Sequence, residues 1–169
     1  MGSTRWQVTG MKLFGALLIL TSGLCLGLQK SRELRKREEA LLEFKRLLQR
    51  FRTEILYTLR PLGELIAKNQ DFRLCGLAVR EQCFSHSPKE ALEQAGKKLF
   101  REATDAELCA GFVKGLGESD TQGQIEHLNL YTGLLESHLL QAREAREKKS
   151  RLYICFGLFG ALTLCLIMV

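Results

Sequence analysis

Apolar side chains are distributed along this chain in two modes: unbroken at the ends and periodic in between. Leu152 to Val169 reads LYICFGLFGALTLCLIMV, eighteen residues without a charge. A helix of that length rises roughly 27 Å, close to the ~30 Å hydrocarbon core of a bilayer. A core helix in a small domain keeps a polar stripe, and this stretch has none, so it reads as a membrane span. Leu13 to Gln29 is likewise uncharged, between Lys12 and Lys30. It exceeds a signal-peptide core, lacks a small-residue cleavage site and runs into a basic cluster, so it reads as a retained span. The expected spans are residues 12–30 and 150–169. Gly23 and Gly27, and Gly157 and Gly160, would let helices approach closely there. Residues 1–11 read as a leader, because Met11-Lys12-Leu13-Phe14 has the form of a start.

Between the spans the period is helical. Leu34, Leu41, Phe44, Leu48, Phe51 and Ile55 step by threes, fours and sevens, predicting a long helix over about 31–57. Pro61 suits the first position of a second helix, with Leu62, Leu65 and Ile66 on its apolar face. A third is expected from about Asp71, carrying apolar positions as far as Cys83 and Phe84. Ser87, with Pro88 and Glu90 after it, predicts a capped fourth helix lined by Ala91, Leu92, Ala95, Leu99 and Phe100. Thr104 with Glu107 predicts the start of a fifth, with Leu108, Phe112 and Leu116 inward and Gly115 and Gly117 at its end. Ser119 with Gln122 forms a capping-box pattern for a last helix whose stripe is Ile125, Leu128, Leu135, Leu139 and Ala142. The fold class expected is all-α: a six-helix antiparallel bundle over 31–149, facing the cytoplasm, flanked by amino- and carboxy-terminal transmembrane helices.

Charge sets the orientation. Lys30, Arg32, Arg35, Lys36 and Arg37 follow the first span, and Arg143, Arg146, Lys148, Lys149 and Arg151 precede the second. The positive-inside rule then puts the bundle in the cytoplasm and both termini across the membrane. The net charge of +6 belongs to these collars. Three of the 25 Lys and Arg lie in residues 1–30 and none in 152–169, leaving 22 against 19 acids in the middle, a net +3. The collars suit anionic headgroups, so the lipid bilayer is the expected partner and nucleic acid is not. From Gly115 to Ala142 there are four acids, Glu118, Asp120, Glu126 and Glu136, and no Lys or Arg.

Candidate chemistry is sparse. The chain has no G-x-x-x-x-G-K-[ST], no H-E-x-x-H and no C-x-x-C. Cys83-x-x-His86 with Cys75 is the nearest approach to a metal set, but helical spacing puts both cysteines on a buried face; no metal, cofactor or small-molecule substrate is expected. His127 and His138 read as solvated or rim histidines. Cys75, Cys83 and Cys109 would be free thiols in a reducing compartment.

Several sequence words resemble the stage III sporulation protein AB family. They are Lys12-Leu-Phe-Gly-Ala-Leu-Leu-Ile19, Glu54-Ile-Leu-Tyr57 with Pro61-Leu-x-Glu64, Gly115-Leu-Gly-x-Ser-Asp120 with Gln124 and Leu128, and Arg151-Leu-Tyr-x-x-x-Gly157-x-x-Gly160. The resemblance implies a fold similar to the cytoplasmic domain of type II secretion F proteins. It also implies a non-enzymatic place in a channel complex between mother cell and forespore, with other stage III subunits and a secretion-type ATPase as partners. Glu118, Asp120, Glu126 and Glu136 are then candidate contacts to the ATPase, and Gly115, Gly117, Ser119 and Gln122 form a structural turn. The chain departs from the family at Arg60, where Thr usually precedes the proline, and at Gly63 and Leu65, which replace Pro and Ala. The competing reading is a membrane-anchored ligand-binding sensor or enzyme.

Overall fold

The computed structural model describes the backbone over 3–58 and 60–168, and side chains at residue 29 and over 31–58 and 60–148. The described residues form six helices and no strand: α1 Ser3–Tyr57, α2 Leu62–Lys68, α3 Arg73–Val79, α4 Pro88–Leu99, α5 Ala103–Gly115 and α6 Thr121–Met168. They fall into two compact units, Met1–Lys36 with Arg143–Val169, and Arg37–Ala142. Among the described residues no helix is long and apolar enough to cross a membrane. The two expected spans, with the glycine pairs Gly23/Gly27 and Gly157/Gly160, lie outside the residues whose side chains are described.

The core belongs to the unit Arg37–Ala142. Leu41, Phe44, Leu48 and Phe51 of the α1 stripe are almost fully buried, joined by Leu47, while Ile55 is only partly covered. Phe44 sits at the centre, its ring 5.6 Å from those of Phe100 and Phe112. Such aromatic pairs add roughly 0.5–1.5 kcal/mol each beyond the area they bury. Leu92 and Ala95 of α4, Phe112 and Val113 of α5, and Leu128 and Leu135 of α6 complete the same cluster. Cys75, Cys83 and Cys109 are free thiols.

Helix α4 starts as its sequence predicts: Ser87 is the cap, its Oγ accepting from the Glu90 amide at 3.4 Å, with Pro88 in the first turn. Three starts or ends differ. Pro61 is the residue before α2 rather than its first member, with φ −56° and ψ 146°. Helix α3 ends at Val79 instead of reaching Phe84, because the chain tightens there into successive three-residue turns, Arg80 to Leu77, Glu81 to Ala78 and Phe84 to Glu81. Lys98 holds that segment against α4, its Nζ 2.5 Å from Glu81 Oε1. Helix α5 begins at Ala103 after an extended Glu102, and Thr104 lies inside it without capping. The first-turn acid Asp105 is committed elsewhere.

Candidate functional site

The turns α1–α2 and α5–α6 meet at one end of this unit. Helix α1 closes with Thr58, whose amide and Oγ1 both donate to the Glu54 carbonyl at 2.8 and 2.7 Å. After α5, Leu116 turns extended and Gly117 takes φ +78°, a left-handed value that disfavours any side chain. Gly115 is needed for a different reason: a Cβ there would collide with the His127 ring.

Gln124 ties the second turn together. Its side chain is buried; Oε1 accepts from the Gly117 amide at 2.9 Å, and Nε2 donates to the Gly115 carbonyl at 3.3 Å and to Ser119 Oγ at 3.0 Å. Asp120 caps α6, its Oδ1 accepting from the Gly123 amide at 3.0 Å. The expected Ser119–Gln122 capping box is therefore displaced by one residue. Ser119 faces Gln124, and Gln122 donates to Glu126 at 3.1 Å. The competition turned on reach: the carboxylate one residue later meets the amide three residues on, which is the capping geometry.

Between the two turns lies a cleft of about 210 Å³. Ile55, Leu62, Leu65 and Leu116 give it apolar walls. Gly117, Ser119, Thr121 and Gln124 line the α6 side, and Arg60 stands at it from the α1–α2 turn. None of its lining side chains is a carboxylate, imidazole or thiol, so it holds no general base.

The walls of the cleft are the Glu54–Glu64 and Gly115–Asp120 words that carried the resemblance. The family model for stage III sporulation protein AB matches residues 12–169. The chain belongs to the stage III sporulation protein AB family. It is 26% identical to stage III sporulation protein AB of Bacillus subtilis (strain 168) over 170 residues, covering 94% of this chain and 99% of the relative. No solved structure matches.

In this member of the family the four candidate acids are not equivalent. Glu118 Oε1 receives Lys89 Nζ at 2.7 Å, and that hydrogen bond and charge hold its carboxyl below the usual range. Glu136 Oε1 receives Lys45 Nζ at 2.6 Å. Asp120 is the helix cap, and Glu126 accepts only the neutral Gln122 amide among the described contacts. The stretch is acidic in sequence, but two of its charges are met by lysines from α1 and α4.

Both histidines sit partly exposed at the rim, and each is tied into the unit by a hydrogen bond. His127 Nε2 donates to the Phe112 carbonyl at 2.8 Å, and its ring stacks on Phe112 with centroids 5.7 Å apart. Tyr131 completes a three-ring cluster, its centroid 4.7 Å from His127 and 5.8 Å from Phe112. His138 Nδ1 donates to Asp105 Oδ1 at 2.8 Å. Asp105 is 1% exposed and also receives Arg37, Nε to Oδ2 at 2.7 Å and Nη2 to Oδ1 at 3.0 Å. Burial pushes the Asp105 carboxyl up, but the hydrogen bonds and charges of Arg37 and His138 outweigh it and hold the pKa below the ordinary value. One buried carboxylate thus joins α1, α5 and α6. The sequence did carry a signal for it: Asp105 falls on the stripe of Cys109, Phe112 and Leu116, and an acid on a buried face needs a partner.

Glu54 follows the same logic on α1, buried in step with Leu47 and Phe51. Burial again raises its carboxyl, and Lys68, Asn69 and Arg50 reverse the direction. Arg50 Nε approaches Oε1 at 3.1 Å, and Lys68 Nζ approaches Oε2 at 3.2 Å. Lys68 is off the hydrogen-bonding direction, leaving Oε2 with an ionic partner only. Among the described residues no group of three His, Cys, Asp or Glu is placed to hold a metal.

Proposed function

We propose that this chain is a non-enzymatic membrane scaffold of a secretion-like channel complex between mother cell and forespore. In this reading residues 12–30 and 150–169 anchor it in the mother-cell membrane, both termini lie on the far side, and the helical unit faces the cytoplasm. A secretion-type ATPase docks on that unit, since a chain without a phosphate-binding loop takes energy input from a partner. The observation that carries the reading is the family match over 12–169, which spans both uncharged stretches as well as the helical unit. The basic collars agree with it.

Docking through the acidic stretch changes in detail. A basic partner surface would have to exchange with Lys89 at Glu118 and with Lys45 at Glu136, whereas Glu126 needs no such exchange. Asp120 is better left out of charge-reversal sets because it caps α6. The test is purification of the tagged chain from detergent-solubilised membranes of sporulating cells, with impermeant thiol labelling of intact cells alongside. The ATPase should co-purify, and Cys83 should stay unlabelled until the membrane is permeabilised. Recovery of the chain in the soluble fraction, or labelling of Cys83 from outside, would reject the scaffold and its orientation.

A further inference from the structure

The cleft between the α1–α2 and α5–α6 turns is built for something the chain itself does not supply. An apolar cavity of about 150 Å³ holds benzene, so about 210 Å³ takes one leucine- or phenylalanine-sized side chain. Its walls are aliphatic: Ile55, Leu62, Leu65 and Leu116. One cation, Arg60, stands at it, exposed and without a hydrogen-bond or ion-pair partner among the described residues. Of the acids in the two turns, Asp120 is held by the Gly123 amide and Glu118 by Lys89, while Glu64, exposed at the start of α2, makes no ion pair with Arg60 among the described residues. Leu56, 48% exposed, and Tyr57, 80% exposed, follow Ile55 at the end of α1 but do not line the cleft.

We propose that the cleft is a docking site for a segment of a partner protein that inserts one bulky aliphatic side chain and sets an adjacent carboxylate on Arg60. Charge complementarity selects this occupant. The pocket offers an unpaired guanidinium beside apolar walls, and a planar guanidinium takes a carboxylate in a two-pronged fit. The proposal does not depend on the ATPase being the partner: a segment from any subunit with this chemistry would satisfy it.

Isoleucine methyl NMR of the full chain in detergent micelles tests it, because Ile55 lines the cleft and Ile66, fully buried in the core, is an internal control. The probes are N-acetyl-Leu-Asp-amide, its Leu-Asn counterpart and its Ala-Asp counterpart at millimolar concentrations. The Leu-Asp peptide should move the Ile55 methyl and leave Ile66 in place. Leu-Asn should bind about three- to fivefold more weakly, the size of an exposed ion pair, and Ala-Asp should bind more weakly still. Arg60→Ala should erase the Asp-over-Asn preference with Ile66 unmoved; Arg60→Gln is the second variant and should do the same. An Ile55 methyl that ignores all three peptides overturns the proposal. So does equal response to Leu-Asp and Leu-Asn, or a preference that survives both Arg60 variants. An Ile55 shift that follows protein concentration without peptide also overturns it, since a second copy would then fill the cleft.

Discussion

Replacing Arg37 by methionine keeps most of its aliphatic stem and removes the guanidinium from Asp105, the most buried charge among the described residues. Asp105, 1% exposed, loses donors at 2.7 and 3.0 Å and keeps only His138 at 2.8 Å. Stranding one partner of a buried pair costs about 3–5 kcal/mol. Arg37 is itself 20% exposed and His138 remains, which puts this case at the lower end, about 3 kcal/mol. Arg37→Met with Asp105→Leu removes the stranded charge and should bring the loss back to about 1 kcal/mol, because a hydrophobic replacement of both partners is commonly near neutral. The two sites should therefore couple by at least about 2 kcal/mol in a double-mutant cycle, and by more to the extent that Asp105→Leu alone destabilises. The assay is urea unfolding of a 31–149 fragment at pH 7, followed by helical circular dichroism; every core residue lies within Ala40–Ala142, so the fragment carries the whole core. The pH dependence has a definite sign. Asp105 has a lower pKa folded than unfolded, so its contribution is complete above the ordinary carboxylate pKa of about 4 and is lost as pH falls through the folded value. The double variant should lose part of this acid sensitivity. Additive single losses, or an acid transition unchanged in the double variant, would refute the buried-pair argument.

Other substitutions separate neighbouring roles. Asp120→Ala should cost about 1 kcal/mol as a lost cap, and Ser119→Ala less, since Gln124 Nε2 keeps the Gly115 carbonyl; urea midpoints of the same fragment give the order. Gly117→Ala should cost roughly 1–2 kcal/mol through its positive φ alone, there being open space around it, whereas Gly115→Ala should also displace His127 and change the near-ultraviolet signal of Tyr131. Burial pushes the Cys75 and Cys109 thiols up to about 12. At pH 8 their thiolate fraction is then roughly a thousandth of an ordinary cysteine's. Peptide mapping after brief alkylation should find Cys83 modified, and Cys75 and Cys109 modified only under denaturant.

The hydrophobic period was enough to place all six helices, because burial is the largest force and its spacing is written directly in the apolar residues. Boundaries followed where one residue decided them, as at Ser87, and failed where two polar residues competed. Ser119 and Asp120 both cap well, and only the three-dimensional path of the turn put the carboxylate at the Gly123 amide. The charge network was the least legible part. Arg37 belongs by sequence to a membrane collar and Asp105 to a helix start, 68 residues apart, and nothing local says that they meet. The cleft was half visible. Its two turns were singled out as sequence words, but their meeting at one end of the unit comes from packing.

In the proposed function the helical unit docks a secretion-type ATPase. Titrating the folded 31–149 fragment with the purified ATPase at low and at physiological salt, by calorimetry, tests this most directly. Saturable binding at low salt that weakens at physiological salt, and weakens further when Glu118, Glu126 and Glu136 are reversed to lysine, is the expected result. A folded fragment that shows no binding at either salt concentration would contradict the account.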